Sequence, residues 1–191
     1  MTFAAIVAAL HVLEPRFDPM DRFVSEYALG DWGLLMNVAF FALGTALVAL
    51  GLDLSLGLAA TRRVRVIRSL YLISGLTTFI SGAFNSNELV DGEVVNMTAA
   101  GAIQEVAGFV GFLCMIAATF LLRKAFLVTS GWESRAKWAL LAAVANVVGL
   151  VGTAAPTPWF GLAQRAFLVI IVTWSIVLAN WLRAAPDHAA A

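Results

Sequence analysis

Chemistry in this chain could come from three sets of residues. His11, Asp18, Ser25 and Glu26 fall close together, and Ser86 lies further on. A serine hydroxyl, a histidine base and an orienting carboxylate are the parts of acyl-transfer hydrolysis. Ser25 or Ser86, with His11 as base and Glu26 or Asp18 as orienter, would make such a set, although nothing in the spacing enforces it. Glu105 and Arg165 form the second set, because each lies inside a long apolar run. A charge there costs several kcal/mol unless it is paired or hydrated. The third set would be metal or haem ligands, and it is too poor to build a site. The chain has two histidines, His11 and His188, and one cysteine, Cys114. No metal or other cofactor is therefore expected, and no disulfide can form within the chain.

These residues must be carried by membrane helices. Of 191 residues, 61% are apolar and 13% charged, and the mean hydropathy is +0.89. A water-soluble domain carries about twice that fraction of charge. Twelve basic residues balance twelve acidic ones, so no basic excess exists to neutralise phosphates, and nucleic acid is not an expected partner. A bilayer crossing needs roughly 20 mainly apolar residues. Six runs suggest themselves: Thr2 to Leu13, Gly33 to Gly57, Val66 to Phe84, Thr98 to Leu122, Trp138 to Ala155 and Leu162 to Leu182. The first is short for a crossing and lacks the basic leader of a signal peptide, so it reads as an uncleaved, truncated or shallow span. Residues 1–191 are thus expected to form a single all-α transmembrane domain, a polytopic bundle of six helices.

Cations set its orientation, since lysine and arginine are retained on the cytoplasmic side. Arg62, Arg63, Arg65, Arg68, Arg123, Lys124, Arg135, Lys137 and Arg183 all follow even-numbered spans, which puts both termini in the cytoplasm. The opposite side holds Arg16, Arg22 and Arg165 with most of the acids, among them Glu14, Glu88 and Asp91. Asp53, near the inner end of the second span, is expected to meet Arg62 or Arg63. Trp32, Trp132, Trp138, Trp159 and Trp181 fall near span ends as an aromatic belt, and the deeper Trp174 is read as facing lipid or a partner.

In lipid, helices hold together through close packing of small residues and through buried polar contacts. Gly33, Asn37, Gly44, Gly51 and Ser55 fall within about 40° of one another on the second helix at 100° per residue. Ser74, Thr78, Ser81 and Asn85 make a polar stripe on the third. Gly101, Gln104, Gly108 and Gly111 align on the fourth beside Glu105, and Asn146, Gly149 and Gly152 align on the fifth. Glu105 and Arg165 sit at the same end of the bundle and are expected to pair, with Gln104 and Asn85 as hydrogen-bonding neighbours. The outer polar residues His11, Ser25, Glu26, Tyr27, Asn85, Ser86, Gln104, Glu105 and Arg165 are expected to converge on one ligand-binding pocket.

Several strings in span order resemble a family. HVLEPRFDPMDRFVSEYALGDWG, from His11 to Gly33, is similar to the first-loop signature of bacterial domain-of-unknown-function family 998, six-helix membrane proteins. His11, Pro15, Ser25, Glu26 and Gly30 carry the match, and GLAQR, from Gly161 to Arg165, resembles the start of the family's last helix. Asn85 stands in GAFNSNE where a proline is usual, and Gln104 stands where a histidine is expected. The resemblance implies a six-helix fold and a bacterial inner-membrane location, and implies no activity.

The favoured function is therefore non-catalytic. A multi-pass bacterial membrane protein would bind a lipid headgroup or small ligand in an outward-facing pocket, with Arg165 attracting a phosphate. It could also serve as an accessory subunit of a membrane complex, with a membrane-protein partner or a second copy on its small-residue seams. The alternatives are a lipid hydrolase using Ser25 or Ser86, and a small-molecule or ion transporter. The latter reading lacks the internal duplication and broken midplane helix such folds show.

Overall fold

The computed structural model describes residues 1–59, 61–90, 93–155 and 157–184, with Ser55 and Leu56 described by backbone alone. The expectations for His188, for Asp91 and for the side chain of Ser55 lie outside the described residues. The described residues form six α-helices: α1 (Thr2–Leu13), α2 (Gly33–Gly57), α3 (Arg62–Ala83), α4 (Ala99–Phe126), α5 (Ala136–Ala154) and α6 (Phe160–Arg183). Five stretches, centred on α2 to α6, are long and apolar enough to cross a membrane. At 12 residues, α1 reaches only about 18 Å, against roughly 30 Å of hydrocarbon. Two short 3-10 turns, Val24–Leu29 and Glu133–Arg135, precede α2 and α5. A departure from the all-helical expectation follows α3, where β1 (Leu89–Val90) pairs antiparallel with β2 (Glu93–Val94).

Helix starts follow local chemistry. The Thr61 hydroxyl accepts a hydrogen bond from Val64 N at 3.2 Å, and the Thr98 hydroxyl accepts one from Gly101 N at 2.9 Å. Each satisfies an amide that has no partner within its own helix.

Small residues decide how closely α2, α3 and α4 approach. A Cβ on Gly44 would press on the Gly75 carbonyl and the Phe79 ring, and one on Gly75 would strike Val48 and the Gly44 carbonyl. Gly51 lies against Tyr71 and the Arg68 carbonyl, and Gly82 against Phe40 and the Asn37 carbonyl. The α2 seam expected from the sequence is therefore the α3 contact, except that Gly33 instead abuts the Ala28 carbonyl. On the other side of α3, the Ser74 hydroxyl donates across to the Gly111 carbonyl at 3.0 Å. The chain continues as a ring in which α5 packs on α4 and α6, and α2 is touched by α1, α3 and α6.

Aromatic residues fill the end of the bundle where α2 and α4 finish. Trp174 is 4% exposed there, and its indole N–H donates to the Tyr71 hydroxyl at 3.2 Å. It faces the core and not lipid, because a helix interior offers that N–H a partner that hydrocarbon lacks. Trp132 is also buried, stacked on Phe126 with the Arg135 guanidinium 4.4 Å from its ring centre. Trp32, Trp138 and Trp159 are exposed as a belt requires. At this same end Arg63 donates to the Lys124 carbonyl at 3.3 Å, and Gly57 meets Leu182. The nine cations named above thus gather at one end of the bundle. Among the described residues no ion pair joins Asp53 to Arg62 or Arg63.

Gly75→Val should force α2 and α3 apart, lowering stability by about 1–3 kcal/mol in a detergent melt. Gly152→Ala should be neutral or stabilising by up to about 1 kcal/mol, because its Cβ would stand 3.6 Å from that of Ala163, an ordinary contact.

Candidate functional site

At the opposite end, Arg165 in the second turn of α6 organises the connection between α1 and α2. Its Nε donates to His11 Nε2 at 2.9 Å, and one Nη donates to the Tyr27 hydroxyl at 3.0 Å. The other Nη is shared among the carbonyls of Pro19 (3.0 Å), Arg22 (2.6 Å) and Gly161 (3.1 Å). The backbone N–H of Gly161 adds a bond to the Met20 carbonyl at 2.9 Å. Residue 161 must be glycine for this approach, since any Cβ would enter the backbone of Pro19 and Arg22. His11 Nδ1 lies 2.6 Å from the Val7 carbonyl, so the proton sits on Nδ1 and Nε2 is the acceptor for Arg165.

Two buried carboxylates finish the loop. Glu26 is 0% exposed and accepts from Phe23 N at 2.8 Å, Arg22 Nη1 at 3.0 Å and Leu89 N at 3.1 Å. The last bond ties the α1–α2 loop to the α3–α4 connection. Burial pushes the Glu26 carboxyl above its ordinary range, and the backbone amides and Arg22 pull it down less strongly. The folded chain therefore holds this proton longer than the unfolded one. Its stabilising effect is full below the ordinary carboxylate value and is lost as pH rises through the folded value. Glu14 is 2% exposed and accepts from Trp32 N at 2.6 Å, resting where Gly30 has no side chain. Val24 N donates to Gln164 Oε1 at 2.7 Å, and Asn85 Nδ2 donates to the Ala28 carbonyl at 3.2 Å.

The expected Glu105–Arg165 pair does not form. Glu105 instead accepts from Asn87 Nδ2 at 2.8 Å, and the described ion pairs are Arg16–Glu14 and Arg22–Glu26. Arg165 is already surrounded by neutral oxygens and one imidazole nitrogen, which solvate its charge without a carboxylate.

Nor do the expected site residues share one pocket. Ser25, Gln104 and Glu105 line a central cavity of about 220 Å³ to which all six helices contribute. Its polar wall is the α3 stripe of Ser74, Thr78 and Ser81, with Gln164 and Thr153, and its floor is apolar, with Leu43, Leu47, Met115 and Ile171. Each stripe hydroxyl donates to a backbone carbonyl, and among the described residues nothing donates to its oxygen. Glu105 is exposed at the rim, and among the described residues nothing takes its second carboxylate oxygen. His11 and Arg165 border a separate apolar groove between α1 and α6 of about 380 Å³. Ser86 lines a third cavity among the loops, while Glu26 and Asn85 line none of the three.

Asn87, Gln164 and Glu14 are site residues that the sequence reading passed over or left unassigned. The glycines at 30, 101 and 161 were the available signal, because each leaves room for a specific partner: the Glu14 carboxylate, the Asn87 amide and the Pro19–Arg22 backbone.

Arg165→Lys should destabilise the protein by about 2–4 kcal/mol, because a single ammonium cannot serve His11, Tyr27 and the loop carbonyls at once. Tyr27→Phe, which removes one of those acceptors, should lower stability by about 1 kcal/mol. Equal losses for the two in a detergent melt would contradict the clasp.

No curated protein and no solved structure matches the chain. The model of the family described as "Protein of unknown function (DUF998)" matches residues 1–181 of the 191, and the chain belongs to that family.

Proposed function

We propose that this is a multi-pass protein of the bacterial inner membrane, with both termini in the cytoplasm, that binds the polar end of a lipid in its central cavity without catalysing a reaction. The observation that carries the reading is the build of that cavity, an apolar floor beneath hydroxyl, amide and carboxylate groups, with Glu105 at the rim. By helix rise, Glu105 lies about 9 Å inside the start of α4 and Ser74 about 14 Å inside the end of α3, so the polar wall of the cavity lies in the outer half of the bundle and its apolar floor reaches the middle. Its volume of about 220 Å³ is below the roughly 300–1,000 Å³ usual for drug-sized ligands. A headgroup or part of one chain fits, and a whole lipid does not.

The free oxygen of Glu105 favours a headgroup that donates hydrogen bonds, an amine or hydroxyl, over one that offers only phosphate. Arg165, first expected to attract a phosphate, spends its donors on the loop. The hydrolase alternative draws no support from His11. Its Nε2 is occupied by Arg165, and no hydrogen bond joins it to Ser25 or Ser86 among the described residues. No observation favours the transporter or accessory-subunit readings.

Gly108 offers the direct test. A Cβ there would meet only the Ser81 hydroxyl, at 3.9 Å, so a larger side chain can enter the cavity without disturbing the helices. In native mass spectrometry from mild detergent, the wild type should retain a lipid that Gly108→Leu and Glu105→Leu lose, with Gly108→Leu melting as the wild type does. Equal lipid on all three proteins, or none on the wild type, would refute the reading. For orientation, a fluorescent protein fused to the C-terminus should glow and alkaline phosphatase fused there should be inactive. The reverse pair of results would invert the topology.

A further inference from the structure

The cavity among the loops has a different character from the central one. It measures about 580 Å³ and is lined by Arg16, Phe17, Arg22 and Leu29 from the α1–α2 connection and by Ser86, Asn87, Glu88, Asn96 and Thr98 from the α3–α4 connection. Ser86 is 8% exposed, and its hydroxyl is buried with no hydrogen-bond partner in the protein. A buried hydroxyl left unpaired costs about 1–3 kcal/mol. One that lines a polar cavity has a use for that cost when a ligand fills it.

Both signs of charge border the same space. Arg22 gives Nη1 to Glu26, and Arg16 gives Nε and one Nη to Glu14 and the Leu29 carbonyl. The remaining guanidinium hydrogens of both have no protein acceptor among the described residues. Glu88 is exposed, and neither its carboxylate nor the Asn96 side-chain amide has a partner among the described residues. The two arginines are each matched by a buried carboxylate, so Glu88 leaves the lining one negative charge in excess, counting Glu14 and Glu26 with it. A plain anion would meet that excess, and a plain cation would leave the guanidinium donors idle.

We propose that this cavity binds a small zwitterion, its carboxylate or phosphate held by Arg16, Arg22 and the Ser86 hydroxyl and its ammonium by Glu88. The volume suits a molecule of dipeptide size, and the same pair of charges occurs in an aminophospholipid headgroup. The site shares no lining residue with the central cavity, so it stands or falls separately from lipid retention there.

The test is titration of the full chain in detergent with L-alanyl-L-alanine, followed by melting temperature and calorimetry. Propionate and ethylamine serve as single-charge controls. Dialanine should stabilise the protein saturably, and each control should bind at least about tenfold more weakly. Ser86→Ala should weaken dialanine about fivefold to tenfold while leaving the empty protein as stable as the wild type or more so, because it removes an unpaired buried hydroxyl. Glu88→Gln should abolish the preference over propionate. No saturable effect of dialanine, unchanged binding by Ser86→Ala, or a lower melting point of empty Ser86→Ala would overturn the proposal. Repeating the titration in nanodiscs separates the two sources of the ligand. Binding lost only in phosphatidylethanolamine discs identifies the headgroup as the occupant, and binding kept in both those and phosphatidylglycerol discs identifies a free molecule.

Discussion

A guanidinium in a membrane helix has to be solvated by something, and here the solvent is the chain's own backbone. Arg165 is ringed by three main-chain carbonyls, a tyrosine hydroxyl and an imidazole nitrogen, none of them charged. That requirement shapes everything near it. The α1–α2 connection folds inward to present its carbonyls, Gly161 gives up a side chain so that α6 can reach them, and His11 takes the tautomer that leaves Nε2 open. The loop so gathered carries Glu26 and Glu14 into the interior, where the amides around them replace water.

The helices themselves were legible because hydrocarbon leaves the chain few options. Backbone polar groups must be satisfied within each crossing, so long apolar runs become helices, and the run limits from the sequence fall within a few residues of the observed ones. The glycine seam on α2 was legible for a related reason, since close approach in lipid needs small residues. The partner of Arg165 was not legible. Every residue has a carbonyl, so acceptors such as those of Pro19 and Arg22 leave no mark in composition, whereas a carboxylate like Glu105 stands out and invites a pairing. Helical spacing sets the depth of Glu105 and Arg165 but not the arrangement of α4 and α6 around the ring, and these two side chains border different cavities. Trp174 misled in the same way, because its depth was plain and its partner, Tyr71, was a hundred residues away.

Division of the polar residues at this end of the bundle among different cavities follows from the same loop. By taking Arg165 and His11 out of circulation, it leaves the central space to hydroxyls, amides and Glu105, and it puts Arg16 and Arg22 on the wall of the loop cavity. Asn87 joins the two regions. Its amide donates to Glu105 and its carbonyl accepts from Thr98, so one side chain braces the rim of the first and the wall of the second.

The bond between His11 and Arg165 spans 154 positions. The far end of the first, short helix is tied to the start of α2 through Glu14 and Trp32 N, but its bond to α6 can form only after the last helix has been made. Local bonds hold α1 beside α2 in the meantime, and the contact of α1 with α6 closes the bundle last.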